Sequence, residues 1–509
     1  MTRRGKIKLI IIGSIFLIIA IIFLKAYLFF NAKPNVAINY AAEWNRMTEP
    51  NNYDAGQNAF FDYEQAINLV MEIPIEIRDD RSVYPRGIPD ISIRWPGDMN
   101  DRELGILRKW LTDNDAAIKF LRQGSTKPYY WHQIPEKNNK MWEIDRPQLS
   151  EINRCLQVLG WRAKLNAFEN KPEKSLEDFL ACFNISNQFI SQRSTDEQEE
   201  GMELSSIAVR ASLEALANTT FAADMLWGFQ WKLLQKFSEQ KKKFDYTGEK
   251  IAAYDILQHI FTDNGKGNGH FIPKEYKKIQ EDQRYSSGLI SPSSAIDFDT
   301  LKDFVLNFFE IMKENGELYQ YALNGHNRRQ TIEMLETYIK HLKDLQDISP
   351  WQKEKNPPDN KIEELLKNYL IFSCYCSSYY TSENWHKYKT EESAILTTVA
   401  ILLYKSEKGV FPDSLQQLVD SGFLTELPQD SYNEGPLTYK KDGDNFKLYS
   451  FGPNMTDNDG TIVRDYTGQI EWWERLGDTV FWPYPNETEK EREERLNQSG
   501  SLNTFFLPR

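Results

Sequence analysis

GWRAKLNAFENKPEKSLEDFLACF, residues 160–183, decides how the chain is read. Glu169-Asn170-Lys171-Pro172 breaks a helical run, and Ser175-Leu176-Glu177-Asp178 offers the polar start of the next. Within the helical runs Leu149–Phe168 and Ser175–Arg193, the pair Leu156–Ala167 and Leu176–Ile190 therefore folds back as a helical hairpin. Working outward, Glu200–Phe221 and Met225–Phe237 continue the helical pattern. On the N-terminal side Leu104, Leu107, Trp110 and Leu111 form one apolar stripe, which Ile118 and Leu121 extend. The expected class is mainly α.

The hairpin resembles the tetratricopeptide type. No 34-residue period continues it and the usual Gly-x-x-Tyr positions are not all filled, so the expectation is an irregular helical array over 101–348. Residues 34–100 mix signals: Asn58–Ile67 reads as an amphipathic helix, followed by an extended stretch through Pro89, Trp95 and Pro96. Gly265-Lys266-Gly267-Asn268-Gly269 opens a loop expected to run to about Ser294. It lacks the Lys-Ser or Lys-Thr of a phosphate-binding loop. Helices resume at Thr300–Tyr321 and Thr331–Leu345, and the three prolines of 349–360 mark a linker.

Beyond the linker, 361–486 reads as a helix followed by a small α+β unit, with 487–509 as a charged tail. Ala394 to Tyr404 is helical and stops at Lys408-Gly409. Ser414–Ser421 is a short helix, and Leu437-Thr438-Tyr439 and Phe446–Ser450 alternate as two strands. The ordered set Tyr404, Gly409, Pro412, Leu415, Leu418, Gly422, Phe423, Leu424, Pro428, Asp430, Gly435, Pro436, Tyr439, Ser450, Gly452 and Asn454 resembles the globular head of the major pseudopilins of type II secretion systems. The residues themselves read as a helix packed on a small antiparallel hairpin that ends in an oxygen-rich loop, and the resemblance implies a shared head fold. It also implies a calcium site in the following loop, with Asn454, Asp457, Asp459 and Asp465 as ligands. Hard oxygen donors are what calcium takes, six to eight at a time. Asn454 stands where the family has Asp. The Asp-Asn-Asp-Gly sequence equally suits a solvated turn.

The chain departs from that family at its start. Prepilins carry Gly-Phe-Thr-Leu-Ile-Glu before the membrane helix; here Gly5-Lys6-Ile7-Lys8-Leu9-Ile10 stands, with Ile10 in place of the glutamate. The head is thus read as reused on an anchored helical protein. This whole layout is similar to that of uncharacterised bacterial membrane-anchored multidomain proteins, a likeness that implies no activity.

Residues 1–33 supply the anchor. Leu9–Leu24 carries no charge, and Ala26–Phe30 resumes the apolar run after Lys25. About 20 such residues span a bilayer as a helix. A signal peptide has a shorter apolar region, and Asn31-Ala32-Lys33-Pro34 makes a weak cleavage site. Arg3, Arg4, Lys6 and Lys8 precede the helix, so the N-terminus is expected in the cytoplasm and the body in a bacterial periplasm. The 509 residues carry a net charge of −13, and the first thirty hold five basic residues and no acid. So acidic a body repels phosphate backbones, which excludes nucleic acid as an expected partner. Four cysteines exclude a disulfide-built scaffold.

Catalytic signatures are weak. The six histidines are never spaced for zinc, and no G-x-S-x-G elbow occurs. Glu197/Glu199/Glu200, Asp297/Asp299 and Glu333/Glu336 offer carboxylate pairs for acid–base work, as chance allows in a chain with 74 acids. Cys155 and Cys182, on the two arms of the hairpin, could pair in an oxidising compartment; Cys374 and Cys376 read as a buried pair. Trp472-Trp473, Phe481-Trp482-Pro483 and Tyr484 read as a plug over the head. The expected function is a membrane-anchored, non-catalytic interaction or assembly protein of the bacterial envelope, with a link to secretion and protein partners there. The alternative is an extracytoplasmic hydrolase with its carboxylate site in the helical domain. Converging carboxylates of perturbed pKa in a deep pocket would favour the hydrolase, and a shallow aromatic groove would favour binding.

Overall fold

The computed structural model describes residues 3–77, 95–136, 140–144, 148–239, 243–263, 265–286, 316–357, 378–464 and 476–484, together with 146, 302, 305, 472 and 473. Asp297, Asp299, Cys374, Cys376, Asp465 and the tail 487–509 lie outside them. The described chain is mainly helical with one small sheet.

Helix α1, Arg3–Phe30, contains a 25-residue stretch, Lys6–Phe30, long and apolar enough to cross a membrane. At about 1.5 Å per residue that stretch exceeds a hydrocarbon core of about 30 Å, so its last turn has length to spare. That turn docks on the body. Phe30 is 4% exposed and meets Tyr319 edge-on at 4.8 Å. Phe29 stacks on His270 at 3.7 Å, and His270 Nε2 donates to the Phe29 carbonyl at 2.9 Å.

The array follows as α2 (Tyr40–Thr48), α3 (Phe60–Leu69), α4 (Asp101–Asp113), α5 (Asp115–Ser125), α6 (Gln148–Phe168), α7 (Pro172–Ile190), α8 (Thr195–Asn218) and α9 (Ala223–Glu239). Asn100 and Glu103 form a reciprocal capping box that starts α4. The hairpin of α6 and α7 is present, but α7 begins at Pro172, three residues before the expected Ser175. Proline suits the first helical position because its missing N–H would have no partner there. Helices α7 and α8 cross closely at Gly201, where an added Cβ would lie 2.5 Å from the Ile190 nitrogen. The proposed disulfide is absent: Cys155 and Cys182 are buried free thiols, and burial pushes Cys155 up to about 12.

Three further expectations need correction. Pro273–Ser286, inside the expected loop, is helix α11, which follows α10 (Thr247–Ile260). Tyr276 and Ile279, one turn apart, are buried and hold it to the body. The expected linker contains α13 (Pro350–Lys355), capped by Ser349 and following α12 (Arg328–Gln346); the Trp351 N–H reaches the Ser431 carbonyl at 3.2 Å. Finally, part of the expected aromatic plug belongs to the sheet itself: Phe481 and Trp482 lie in a strand, while Trp472 and Trp473 pack edge-on against Phe481. The sheet runs β1 (Thr438–Asp442), β2 (Asn445–Ser450), β3 (Thr479–Trp482), all antiparallel, and Trp482 stacks on Phe446 at 5.1 Å.

Helix α14, Ser378–Lys408, ends where expected, with Gly409 in the left-handed region at φ 76°; α15 is Leu415–Asp420. α14 packs on the sheet and also on α8 and α9, so a single buried apolar cluster runs from the array into the α+β unit. Asp430 and Ser450, two members of the ordered motif set, meet at 2.7 Å. The same carboxylate accepts the Tyr432 and Phe451 N–H groups, tying the chain before β1 to the end of β2.

Candidate functional site

Helix α8 lays Asp196, Glu199, Glu200, Glu203, Ser206 and Arg210 at spacings of three and four, hence along one face. Helix α14 does the same with Asn384, Lys387, Tyr388 and Glu391. Between them, closed by Arg146, Leu149, Ser150 and Trp473, is a cleft of about 690 Å³.

Its lining alternates charges. Arg146 pairs with Asp196 at 3.3 Å, and Lys387 with Glu383 at 3.2 Å. Arg210 donates to the Ser206 hydroxyl at 2.9 Å, and that hydroxyl donates to Glu391 at 2.9 Å. The indole N–H of Trp473 reaches the same Glu391 oxygen at 2.7 Å. Burial raises the Glu391 carboxyl above its ordinary range, opposed by the Arg210 cation and the two hydrogen bonds. This relay joins the array, through α8, to the α+β unit, through α14 and Trp473.

Behind the cleft lies a second set of buried groups. Burial pushes Glu197 up to about 7, with Arg146 opposing and Asp196 reinforcing. His132 Nδ1 lies 3.7 Å from Glu197. Burial and the Arg146 charge push that imidazole down to about 4, so at neutral pH the contact is not an ion pair. Glu249 accepts the Thr195 N–H at 2.9 Å, yet burial pushes it up to about 8.

These shifts set a pH dependence. His132 and His386, both pushed down to about 4, add stability as pH rises from about 4 to 6.5. Buried acids with raised pKa act oppositely, because the folded state keeps protons that the unfolded chain has released. Between pH 6.5 and 8 only the acid effect continues, through Glu197 and Glu249. Stability is therefore expected to fall across that window, by about 1–2 kcal/mol from Glu249 alone. Urea unfolding of wild type and Glu249→Gln at pH 6.5 and 8 checks this, with the variant losing the slope that Glu249 supplies.

Of the carboxylates singled out in sequence, Glu199 and Glu200 line the cleft and Glu197 stands behind it. Glu336 is held by Lys250 at 2.8 Å and by the Tyr254 hydroxyl. The acidic loop is stitched to itself and to the sheet. The Asn454 amide donates to Asn458 at 2.7 Å, and Asp457 accepts from the Tyr449 hydroxyl at 2.8 Å and the Asp459 N–H at 2.9 Å. Lys440 lies 2.6 Å from Asp459 and 3.7 Å from Asp457. Asp478, which sequence reasoning passed over, closes the loop by accepting the Asn458 and Gly460 N–H groups. Among the described residues no group of three or more His, Cys, Asp or Glu side chains converges as a metal centre would. Arg146, Arg210, Lys387 and Glu391 were also passed over; only the helical spacing of 196–210 could have marked one wall in advance. No family model, curated protein or solved structure matches the chain.

Proposed function

We propose that the protein is a membrane-anchored, extracytoplasmic interaction protein that holds a segment of a partner polypeptide in the cleft between α8 and α14. One observation carries the reading: five carboxylates and three cations share a single cleft wall system. A polypeptide, with side chains of both signs and polar backbone groups, complements such a lining. Glu391 is committed to Ser206 and Trp473, as suits a wall better than a catalytic acid. The basic residues Arg3, Arg4, Lys6 and Lys8 in the first turns of α1 support a body outside the cytoplasm. A role in bacterial envelope assembly or secretion extends the pseudopilin likeness of the α+β unit. Calcium in the acidic loop belongs to the same proposal, and binding there requires the Lys440 ammonium to move aside.

Co-isolation from detergent-solubilised native membranes tests this. Glu199→Lys combined with Glu203→Lys reverses the sign of one wall and is expected to reduce partner recovery at least tenfold. Lys109→Glu, on α4 outside the cleft, should leave recovery unchanged. Equal recovery with all three proteins overturns the reading. A hydrolase reading has one feature in its favour, the raised pKa of Glu391 beside Glu199 and Glu200. It requires Glu391→Gln to leave co-isolation intact while the partner is no longer cleaved.

A further inference from the structure

The first turns of α6 separate the charged cleft from a smaller cavity of different chemistry. Leu149 and Ser150 face the cleft, whereas Gln148 and Ile152, one turn apart, face a cavity of about 200 Å³. Its walls are Phe60, Tyr63, Ile67, Tyr130, Ile152 and Phe189, joined by Gln148, Glu64 and Glu151, the last of these paired with Arg154 at 2.5 Å. We propose that this cavity is a binding site for a single aromatic ring carrying one hydrogen-bonding group.

The walls are arranged for a ring. Tyr130 stacks on Phe189 at 4.5 Å, and Phe60 and Tyr63 flank it at 6.0 and 6.1 Å. At such spacings the rings pack on one another as one aromatic wall, and a guest ring in the cavity can add to it in offset or edge-on contact. An apolar cavity of about 150 Å³ stays dry and accepts benzene, so this volume suits a ring with a substituent.

The polar requirement comes from Tyr130. The Tyr63 hydroxyl is satisfied by Gln188. The Tyr130 hydroxyl, on a residue 3% exposed, has no hydrogen-bond partner among the described residues. The Gln148 amide is its nearest polar neighbour and is shared with His132, whose Nε2 lies 3.3 Å from it. Buried hydroxyls in folded proteins are normally paired, and a ligand oxygen supplies the missing partner. Such a ring reaches the cavity either as a free phenolic molecule or as the side chain of a polypeptide.

The test uses full-length protein in lipid nanodiscs with isotope-labelled isoleucine methyl groups, which report from the protein and not from the lipid. Phenol is expected to shift the Ile67 and Ile152 signals saturably, leaving isoleucines outside the cavity in place. Tyr130→Phe keeps the ring and removes the hydroxyl. It should weaken phenol roughly fivefold and leave benzene unchanged. Binding of both p-cresol and N-acetyltyrosinamide supports a polypeptide side chain as the guest; binding of p-cresol alone supports a free small molecule. Absence of saturable shifts at Ile67 and Ile152, or equal phenol affinity in Tyr130→Phe, overturns the proposal.

Discussion

Glu214→Ala is expected to cost about 3–5 kcal/mol of unfolding free energy. Lys164 Nζ lies 2.5 Å from Glu214, with the two side chains 0% and 2% exposed. The ammonium also sits 4.6 Å from the centre of the Trp161 ring. Desolvating both charges is expensive, and their attraction in the interior offsets it only while both are present. Removing the carboxylate strands a cation in the helical core between α6 and α8. Lys164→Met combined with Glu214→Leu removes both charges and should recover most of the loss. Equilibrium urea unfolding of wild type, the single variant and the double variant checks this. A cost below about 1 kcal/mol for Glu214→Ala would mean that the pair is solvated.

Phe30→Ala is the second large effect, about 3–5 kcal/mol by the usual cost of emptying a buried phenylalanine site. Its ring closes a cluster with Tyr319, Phe271 and Tyr338 that belongs to the body, although the residue ends the membrane-length helix. The loss should appear locally. Amide exchange in α10 and α12 should accelerate, while α7 and α8 in the larger core should stay protected. A chain beginning at Pro34 lacks the same contact and should show the same pattern. Unchanged exchange would separate α1 from the body.

Much of the helical array was legible because apolar periodicity and start signals are local. The break at Glu169–Pro172 and the stop at Lys408-Gly409 rest on backbone preferences that act over a few residues. The misreadings have the opposite character. Pro273–Ser286 has few apolar residues, and Tyr276 and Ile279 mark it as a helix only once their burial is known. Strand β3 has four residues and pairs with β2 across an interval that no local pattern spans. The cleft was half visible. Glu199 and Glu200 stood out as carboxylates, yet the opposite wall comes from α14, with Ser206 and Glu391 185 residues apart. Cys155 and Cys182 show the converse limit, since facing helices suggested a bond that the packing does not form.

The proposed function requires a partner polypeptide in the cleft between α8 and α14 in the cell. A photo-activated cross-linking amino acid at Asn384, on the cleft wall, tests it most directly. Irradiation of intact cells is expected to yield one discrete adduct of higher mass, which disappears when Glu199→Lys and Glu203→Lys are introduced. The same cross-linker at Lys109 should give none. An adduct of equal yield from both positions, or one indifferent to the charge reversal, would rule out the cleft as the partner's binding site.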